Sequence, residues 1–464
     1  MPEARTPAEI PVYDASSMSP SPLITHLCKL FFVHLGCSFP FLQRERFMRD
    51  LEEKQVDAIL VDAVCALAAR FSTHPMLTGK SDAQKEGDAE PSTIPPSEHG
   101  QAFAQRAKSA IPDAFPCPSV AVVQAALLLA YDEFGASRDS GLWMYLGIAI
   151  RMAQDLGMQS VGGLKYEGRK GPTPNSVKSD PDGGRHSEQS TVLDNQGASA
   201  EEQEQRAAER ERLDTFWSIF FLDRVISSGT GRPVTLRDRD IEISFPSLDE
   251  VDSSGWPLPF PALIRIIHLY GRVTDLLNRI RSAADITADL QKQLGAWEDR
   301  LTGIYQNLSP KLHFNAVNFQ QYVKLHQGTN FLLLHCWFHT LIVLLHQPTL
   351  LRTFEGTPQS LSTNSRELSM SSAKTVADIL AFTELIDVKT GIGNPFTRYE
   401  KVKFPMQNSH TDCSSVNQYT LPHVLSSKRR HCIRHRRSPS LALQAQVVTG
   451  RIGKKLLTTN LLTG

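Results

Sequence analysis

The sequence predicts an all-α fold, a multi-helix bundle or α-solenoid-like domain with long disordered insertions. Three observations support this prediction: apolar residues recur at helical spacing in successive segments, no run alternates with period two for long, and two long polar stretches interrupt the pattern. A chain of 464 residues, 41% hydrophobic and 21% charged, is long enough and apolar enough to bury a large core.

The first helical region covers residues 22–71. Leu23, Leu27 and Phe31 share one helical face, and "VDAVCALAAR" continues the same spacing further along. Residues 74–97, "HPMLTGKSDAQKEGDAEPSTIPPS", are polar and rich in proline and glycine, so they predict a loop.

A helical hairpin is predicted by "VQAALLLAYDEFGASRDSGLWMYLGIAIRMAQDLGM". Gly135 and Gly157 suit left-handed caps at the two helix ends, and Asp139 or Ser140 suits the N-cap of the second helix. Gly147 lies in mid-helix, where glycine costs about 1 kcal/mol against alanine. Its presence predicts a close contact with another helix.

A second insertion follows the hairpin at residues 160–200, which are too poor in apolar residues to bury themselves. Next come a long helix containing "RLDTFWSIFFLDR", the turn "SSGTGRP" and an extended segment ending at Pro246. Further helices are predicted in "ALIRIIHLYGRVTDLLNRI", "DLQKQLGAWEDRLTGIYQNL", residues 320–346 and "SSAKTVADILAFTELI".

This pattern divides the chain into three parts. Residues 1–21 predict a flexible leader, and 22–397 form the helical domain, interrupted near 74–97 and 160–200. Residues 398–464 lose the helical texture and predict a divergent, disordered tail. We hypothesise that this tail is not part of the domain and is translated from non-coding sequence.

Charge and cysteine content restrict the class of protein. Lysine plus arginine equals aspartate plus glutamate, at 49 each, so no global basic field draws the chain onto DNA or an acidic membrane. The seven cysteines are scattered, which favours reduced intracellular thiols. "FLLLHCWFHTLIVLLHQP" contains three histidines and predicts a buried core helix rather than a membrane span.

Two motifs resemble sites without meeting their requirements. "LTGKS" at 77–81 has His74 where a phosphate-binding loop needs its first glycine, so it predicts a loop. A helix carries metal-ligand side chains, among which His335 and His339 have i, i+4 spacing. The set is His335, Cys336, His339 and His346. Apolar neighbours favour core histidines here over a metal site.

The tail contains "KRRHCIRHRR", with the ligand types His431, Cys432 and His435. Their position inside a basic run disfavours metal binding. Nuclear import and contact with phosphates both remain open for this run.

Charged pairs and aromatic side chains complete the candidates. Asp223 and Arg224, at the end of an apolar run, predict a structural lock rather than an acid/base pair. Arg151 and Asp155 predict an i, i+4 ion pair. Several aromatic side chains predict core packing, with a ligand cavity as the alternative. They are Trp143, Tyr145, Phe216, Trp217 and Phe220.

Four motifs follow one another along the chain: "LCKLFFVHLGCSFPFLQRERF", "VCALAARFS", the hairpin sequence above and "RLDTFWSIFFLDRVISSGTGRPVTLRDRDIEISFP". Their order resembles the middle homology, or regulatory, domain of fungal zinc-cluster transcription factors. "LGAWEDRLTGIYQNLSPKLHF" and "CWFHTLIVLLHQPTLL" are similar to later helices of that domain. The resemblance covers 22–397.

The resemblance implies an all-helical domain, without catalytic activity, in a nuclear regulator of DNA-templated transcription. Its partners would be the transcriptional machinery or co-regulator proteins, and a small-molecule effector and a homodimer remain open. Structural or regulatory roles are implied for the motif residues. These are Trp143, Tyr145, Gly147, Arg151, Asp155, Trp217, Asp223, Arg224, Gly231, Arg232 and Pro233.

The family reads DNA with two zinc ions held by six closely spaced cysteines. Nothing like this cluster precedes residue 22, and Cys28 and Cys37 lie isolated in a helical segment. We therefore expect no metal, cofactor or sequence-specific DNA contact from these residues themselves. DNA would be reached only indirectly or through a separate zinc module.

Two other classes of function remain as alternatives. A helical adaptor without a transcriptional role fits the same composition. An enzyme fits less well, because the sequence has no G-x-S-x-G, no H-E-x-x-H and no glycine-rich dinucleotide loop.

Overall fold

The computed structural model describes residues 20–78, 98–164, 171–177, 200–280, 285–354 and 363–386. Within these ranges the chain is helical and contains no strand, and Val251 and Pro257 form an isolated antiparallel bridge. The all-α prediction is confirmed. The predictions for the tail, for His431, Cys432 and His435, and for nearly all of the leader concern residues outside this description.

The chain divides into two compact units, and the boundary falls inside a helix. Unit 1 comprises Met1–Gly168 and Leu193–Phe220, and unit 2 comprises Arg169–Val192 and Phe221–Gly464. The helices of unit 1 are α1 (Pro22–His34), α2 (Arg44–Glu52), α3 (Ala58–Ala68), α4 (Pro75–Thr78), α5 (Gln101–Ala110), α6 (Val120–Gly135), α7 (Asp139–Asp155), α8 (Val161–Leu164) and the first part of α9 (Ala200–Gly229). Unit 2 contains the end of α9, then α10 (Pro259–Leu277), α11 (Ala288–Gln306), α12 (Ala316–Lys324), α13 (Gly328–Phe354) and α14 (Thr363–Ile386).

Two helices form the centre of unit 1. Residues 60–69, which include most of α3, and residues 122–134 of α6 are buried without interruption. A helix that is buried on all sides must be covered by neighbours. Accordingly, α3 packs against α1, α5 and α6, and α6 packs against α7.

The α6–α7 hairpin is present, and one of its predicted caps is confirmed. Helix α7 is followed by Gly157, which has a φ of 64°. The amides of Gly157 and Met158 donate to the carbonyls of Gln154 (3.1 Å) and Ala153 (3.0 Å). This is a Schellman motif, in which glycine takes the left-handed position. The predicted side-chain N-cap of α7 is wrong, because the N-cap is Arg138 and no side chain caps the helix.

Gly135 is not the left-handed cap of α6. That position belongs to Ser137, whose φ is 61° and whose amide donates to the Phe134 carbonyl at 2.9 Å. Gly135 is the last residue of the helix itself, and a Cβ there would collide with the guanidinium of Arg70. The close approach of Arg70, rather than a left-handed backbone, favours glycine at this position.

Gly147 also differs from the prediction. A Cβ on Gly147 would meet no atom of the described residues within 4 Å. The expected close helix contact is absent there, so this glycine weakens α7 without a packing benefit in the described structure.

Helix α13 is the central element of unit 2 and packs against α10, α11, α12 and α14. Its segment Gly328–His346 is long and apolar enough to cross a membrane, but 83% of the most apolar window is buried in the protein. Trp337 meets Tyr270 of α10 edge-on at 4.7 Å between ring centroids. These contacts fit the predicted core helix.

Part of the second predicted insertion is ordered. Residues 171–177 include the buried Pro174. The Pro172 carbonyl accepts from the Phe245 amide at 3.0 Å, and Gly171 exchanges hydrogen bonds with the Ser244 hydroxyl. The prediction of disorder is therefore wrong for these residues, because they pair with the extended segment that follows α9. The first predicted loop likewise begins with the short helix α4.

Candidate functional site

Asp223, near the end of α9, is fully buried and surrounded by donors. Its carboxylate accepts from the amides of Thr235 (3.1 Å) and Leu236 (2.9 Å), from the Ser227 hydroxyl (3.1 Å) and from Arg224 (3.3 Å). One side chain thereby ties the helix to the chain segment that leaves it. Burial makes such charge-assisted bonds strong, and makes their loss costly.

Arg224 extends the network to a second carboxylate. Its Nη2 donates to Asp238 at 2.6 Å, and Asp238 also meets Nε2 of His268 at 2.9 Å and Nη1 of Arg272 at 3.5 Å. A Cβ on Gly271 would lie 2.7 Å from Cδ of Arg224, so the glycine on α10 leaves room for the Arg224 side chain to pass. We call Asp223, Arg224, Asp238, His268 and Arg272 the signature cluster.

Electrostatics keep Asp238 ionised. Burial opposes its charge, but the hydrogen bond from His268 and the cations Arg224 and Arg272 outweigh burial and lower its pKa to about 2. Burial lowers the pKa of His268 despite its bond to Asp238. At neutral pH the ring is therefore neutral and donates a hydrogen bond to Asp238, whose charge is balanced by Arg224 and Arg272.

The "GRP" motif forms the end of α9. Gly231 has a φ of 69° and donates to the Ser228 carbonyl at 3.3 Å, while the Arg232 amide donates to the Ser227 carbonyl at 2.9 Å. This is again a Schellman motif, and Pro233 follows where proline prevents the helix from continuing. The motif turns the chain so that the next residues reach the Asp223 carboxylate.

Unit 1 has its own buried ionic cluster at the end of α6. Asp132 lies 3.4–3.5 Å from Arg70, Lys108 and Arg138, and Glu133 accepts from Arg138 at 2.8 Å and from Lys108 at 2.5 Å. We call these five residues the α6 cluster. Its three cations come from different segments: Arg70 follows α3, Lys108 lies on α5 and Arg138 follows α6. The cluster therefore connects the end of α6 to α5 and to the residues that follow α3.

The two acids of the α6 cluster differ in their electrostatics. Burial raises the pKa of Asp132, against the attraction of Arg70, Lys108 and Arg138. Burial also opposes ionisation of Glu133, but hydrogen bonds from Arg138 and Lys108 prevail and lower its pKa. Carboxylates at a helix C-terminus are disfavoured by the helix dipole, so the cations are required here.

The predicted residues of α7 do not form one site. Trp143, Tyr145 and Gly147 are half-buried, and the Tyr145 ring lies 5.8 Å below Nζ of Lys108. The predicted ion pair of Arg151 and Asp155 is wrong. Arg151 donates instead to the side chain of its neighbour one turn on, Gln154, at 3.2 Å, and Asp155 is exposed.

The aromatic side chains of α9 are core residues. Trp217 is 1% exposed and meets Phe216 and Phe220 edge-on at 5.4 and 5.2 Å between centroids. These three side chains do not line the cavity of about 160 Å³ that is bounded by Phe47, Leu60 and Glu211, so that cavity does not support the ligand-cavity alternative at these residues.

His335 and His339 of α13 each lie near a hydroxyl group of another helix. His335 is fully buried and meets the Tyr305 hydroxyl at 3.2 Å, while His339 lies 3.4 Å from the Ser372 hydroxyl. Burial lowers their pKa values to about 3 and about 4. No group of three potential metal ligands occurs among the described residues. This geometry favours core histidines over a metal site.

Sequence reasoning missed the α6 cluster and a buried amide at Gln124. A signal was present for both. Asp132 and Glu133 end a long apolar helix, where carboxylates need cations, and Gln124 interrupts the same apolar run. The partners lie far away in sequence and could not be identified from spacing.

Comparison with known proteins agrees with the resemblance noted in the sequence. The family described as "Fungal specific transcription factor domain" matches residues 28–279, more than half of the chain. The Zn(2)-C6 fungal-type transcription factor FTF1c of Fusarium oxysporum f. sp. lycopersici is 23% identical over 400 residues, which cover 77% of this chain and 38% of that protein.

Two regulators of Schizosaccharomyces pombe are also similar. Uncharacterized transcriptional regulatory protein C1327.01c is 26% identical over 371 residues, covering 71% of this chain and 33% of that protein. Uncharacterized transcriptional regulatory protein C11D3.11c is 28% identical over 254 residues, covering 53% of this chain and 57% of that protein. The chain thus spans between a third and just over a half of these relatives.

The family and these relatives are transcription factors rather than enzymes, which removes the enzyme alternative. From the match over residues 28–279, this chain belongs to the fungal-specific transcription factor domain family.

Proposed function

We propose that this chain acts in the nucleus as the regulatory part of a transcription factor. It controls transcription through contacts with the transcriptional machinery or co-regulator proteins, and a small-molecule effector modulates those contacts. Recognition of DNA sequence belongs to a family-type zinc cluster with six cysteines and two zinc ions. The seven scattered cysteines of this sequence do not supply it.

The family match over residues 28–279 carries this proposal. The signature cluster supports it, because Asp223 and Arg224 are engaged with each other and with the segment after α9. A regulatory domain of this kind acts through the surfaces that it offers to partner proteins and through its own stability. It needs no reactive group.

A reporter assay tests the proposal. The whole chain is fused to a foreign DNA-binding domain and expressed with a reporter whose promoter carries that domain's site. We expect transcription to rise or fall relative to the DNA-binding domain alone at equal protein level. Unchanged transcription, from a fusion that is folded and nuclear, would contradict the proposal and favour the adaptor alternative.

A further inference from the structure

Helix α14 is held in unit 2 by one of its sides. It packs against α13, where Ile379 of α14 is buried together with Leu332 and Cys336. Phe382 lies next to this side and meets Phe314 at 6.3 Å between ring centroids. These contacts fix which side of α14 faces the core and which side faces away from it.

The side that faces away carries a line of exposed apolar side chains. Its members are spaced seven or four residues apart and so share one helical face: Met370, Ala377, Ala381 and Leu385. Leu385 is 84% exposed and Met370 is 38% exposed. A single exposed leucine is ordinary, but apolar residues in line along one helix mark a surface that another protein can cover. We call these four residues the α14 strip.

Charged side chains lie on both flanks of the α14 strip, and all four are exposed. Arg366 and Glu384 are separated by about five turns and project from the same flank. Lys374 and Asp378 are one turn apart toward the other flank and pair at 2.5 Å. On each flank, therefore, the cation lies nearer the N-terminus of the helix and the anion nearer its C-terminus.

This order of charges does not stabilise α14 as a single helix. A helix dipole favours anions near the N-terminus and cations near the C-terminus, and Arg366 and Glu384 lie the opposite way round. The first turn of α14 contains no acidic residue and its last turn contains no basic residue. The order of charges is instead complementary to a helix that runs in the opposite direction.

A second copy of α14 has the required complementarity. When two identical helices pack antiparallel about a two-fold axis, equivalent flanks meet and each N-terminal half lies beside a C-terminal half. Arg366 of one chain then faces Glu384 of the second copy. In the same register, Lys374 faces Asp378 of the second copy. A parallel pair would instead place each of these charges against its own equivalent, which is repulsive.

The same antiparallel register also fits the apolar side chains. It places Met370 opposite Ala381 of the second copy, so that a long side chain meets a short one and the helices can approach closely. Lys374 lies across Ala377 of the second copy, where its methylene groups cover apolar surface while its ammonium reaches the flank.

We propose that α14 is a self-association surface, on which the α14 strips of two copies of this chain pack antiparallel. One helix face per copy is a small interface, below the about 1,200 Å² at which stable complexes begin. The dimer is therefore weak and depends on protein concentration. This proposal concerns α14 alone and does not rest on the proposed function.

Sedimentation velocity of the whole purified chain across the micromolar range measures this association. We expect monomer at low concentration, dimer at high concentration, and a dissociation constant of about 100 μM. Added salt should weaken the dimer, because exposed charge pairs are screened.

An apolar variant tests whether the α14 strip is the surface involved. Leu385→Asn should raise the dissociation constant about tenfold, because a two-fold interface contains each substitution twice. The folded chain should keep its Tm, since Leu385 is largely exposed. Val317→Asn is the matched control, because Val317 is 73% exposed on α12, outside the strip.

A charge exchange tests the antiparallel register. Arg366→Glu and Glu384→Arg should each weaken the dimer about tenfold, since each places like charges together twice. The double variant restores opposite charges across the antiparallel interface and should associate like the wild type. Circular dichroism of all three variants checks that the fold is unchanged.

Three results would overturn the proposal: a chain that stays monomeric throughout the micromolar range, a Leu385→Asn variant that associates like the wild type, or a double charge variant as weak as the single ones. Each leaves the reporter result untouched. Conversely, a silent reporter with intact association would contradict the proposed function alone.

Discussion

Replacing Asp223 by alanine should be among the most damaging single changes in unit 2. The substitution leaves the buried amide of Leu236 and that of Thr235 without their acceptor, and leaves Arg224 with one carboxylate partner fewer. Each unsatisfied buried donor costs about 1–3 kcal/mol, and removing one partner of a buried ion pair costs about 3–5 kcal/mol. These effects overlap, so we expect a total loss of about 3–5 kcal/mol. That is a large part of the about 5–15 kcal/mol typical of a folded protein.

Urea unfolding followed by circular dichroism measures this loss, together with proteolysis of the segment after α9. Asp223→Asn should fall between wild type and alanine, because the amide keeps one acceptor oxygen. Asp240→Asn is the control, since Asp240 is an exposed carboxylate paired with Arg237 at 2.6 Å, and such surface pairs contribute about 1 kcal/mol or less. If Asp223→Ala cost no more than Asp240→Asn, the carboxylate would not hold this segment and the reasoning would fail.

Ser137 and Gly231 occupy equivalent left-handed positions after α6 and α9. Urea unfolding should therefore show Ser137→Gly stabilising and Gly231→Ala destabilising, each by about 0.5–1 kcal/mol, and the opposite signs would refute these caps. Gly147→Ala should raise stability by up to about 1 kcal/mol, because the added methyl meets nothing in the described structure; a clear loss would reveal a contact there. His335 and His339 have pKa values of about 3 and about 4, below the 6.5 of an unfolded histidine, so only the unfolded chain gains protons as the pH falls below 6.5. The stability linked to these neutral rings is fully present well above pH 6.5. Between pH 7.5 and 5.5 the free energy of unfolding should fall by about 1 kcal/mol for each histidine. His335→Leu should reduce this fall, and an unchanged pH dependence of the free energy of unfolding would exclude a role for His335.

The helices could be predicted from the sequence because their apolar spacing is local information. The hairpin of α6 and α7 is an example, including the left-handed Gly157. The functions of Gly135 and Gly147 could not be predicted in this way. The sequence predicts a left-handed cap at Gly135 and a close helix contact at Gly147, but Gly135 lies against a guanidinium and a Cβ on Gly147 would meet no described atom within 4 Å.

The ionic partners were also beyond sequence reasoning. Asp223 and Arg224 were recognised as a pair, but the amides of Thr235 and Leu236 and the carboxylate of Asp238 were not. Backbone amides carry no sequence signal, and the contact depends on how the chain turns after α9. Tertiary geometry therefore decided what this carboxylate binds.

Amide hydrogen exchange at Thr235 and Leu236 tests the central claim most directly, namely that Asp223 holds the segment after α9 in place. The account predicts slow exchange of both amides in the wild-type chain. In Asp223→Asn it predicts much faster exchange there, with protection in the middle of α10 unchanged. Fast exchange in the wild type, or equal protection in the variant, would contradict the claim.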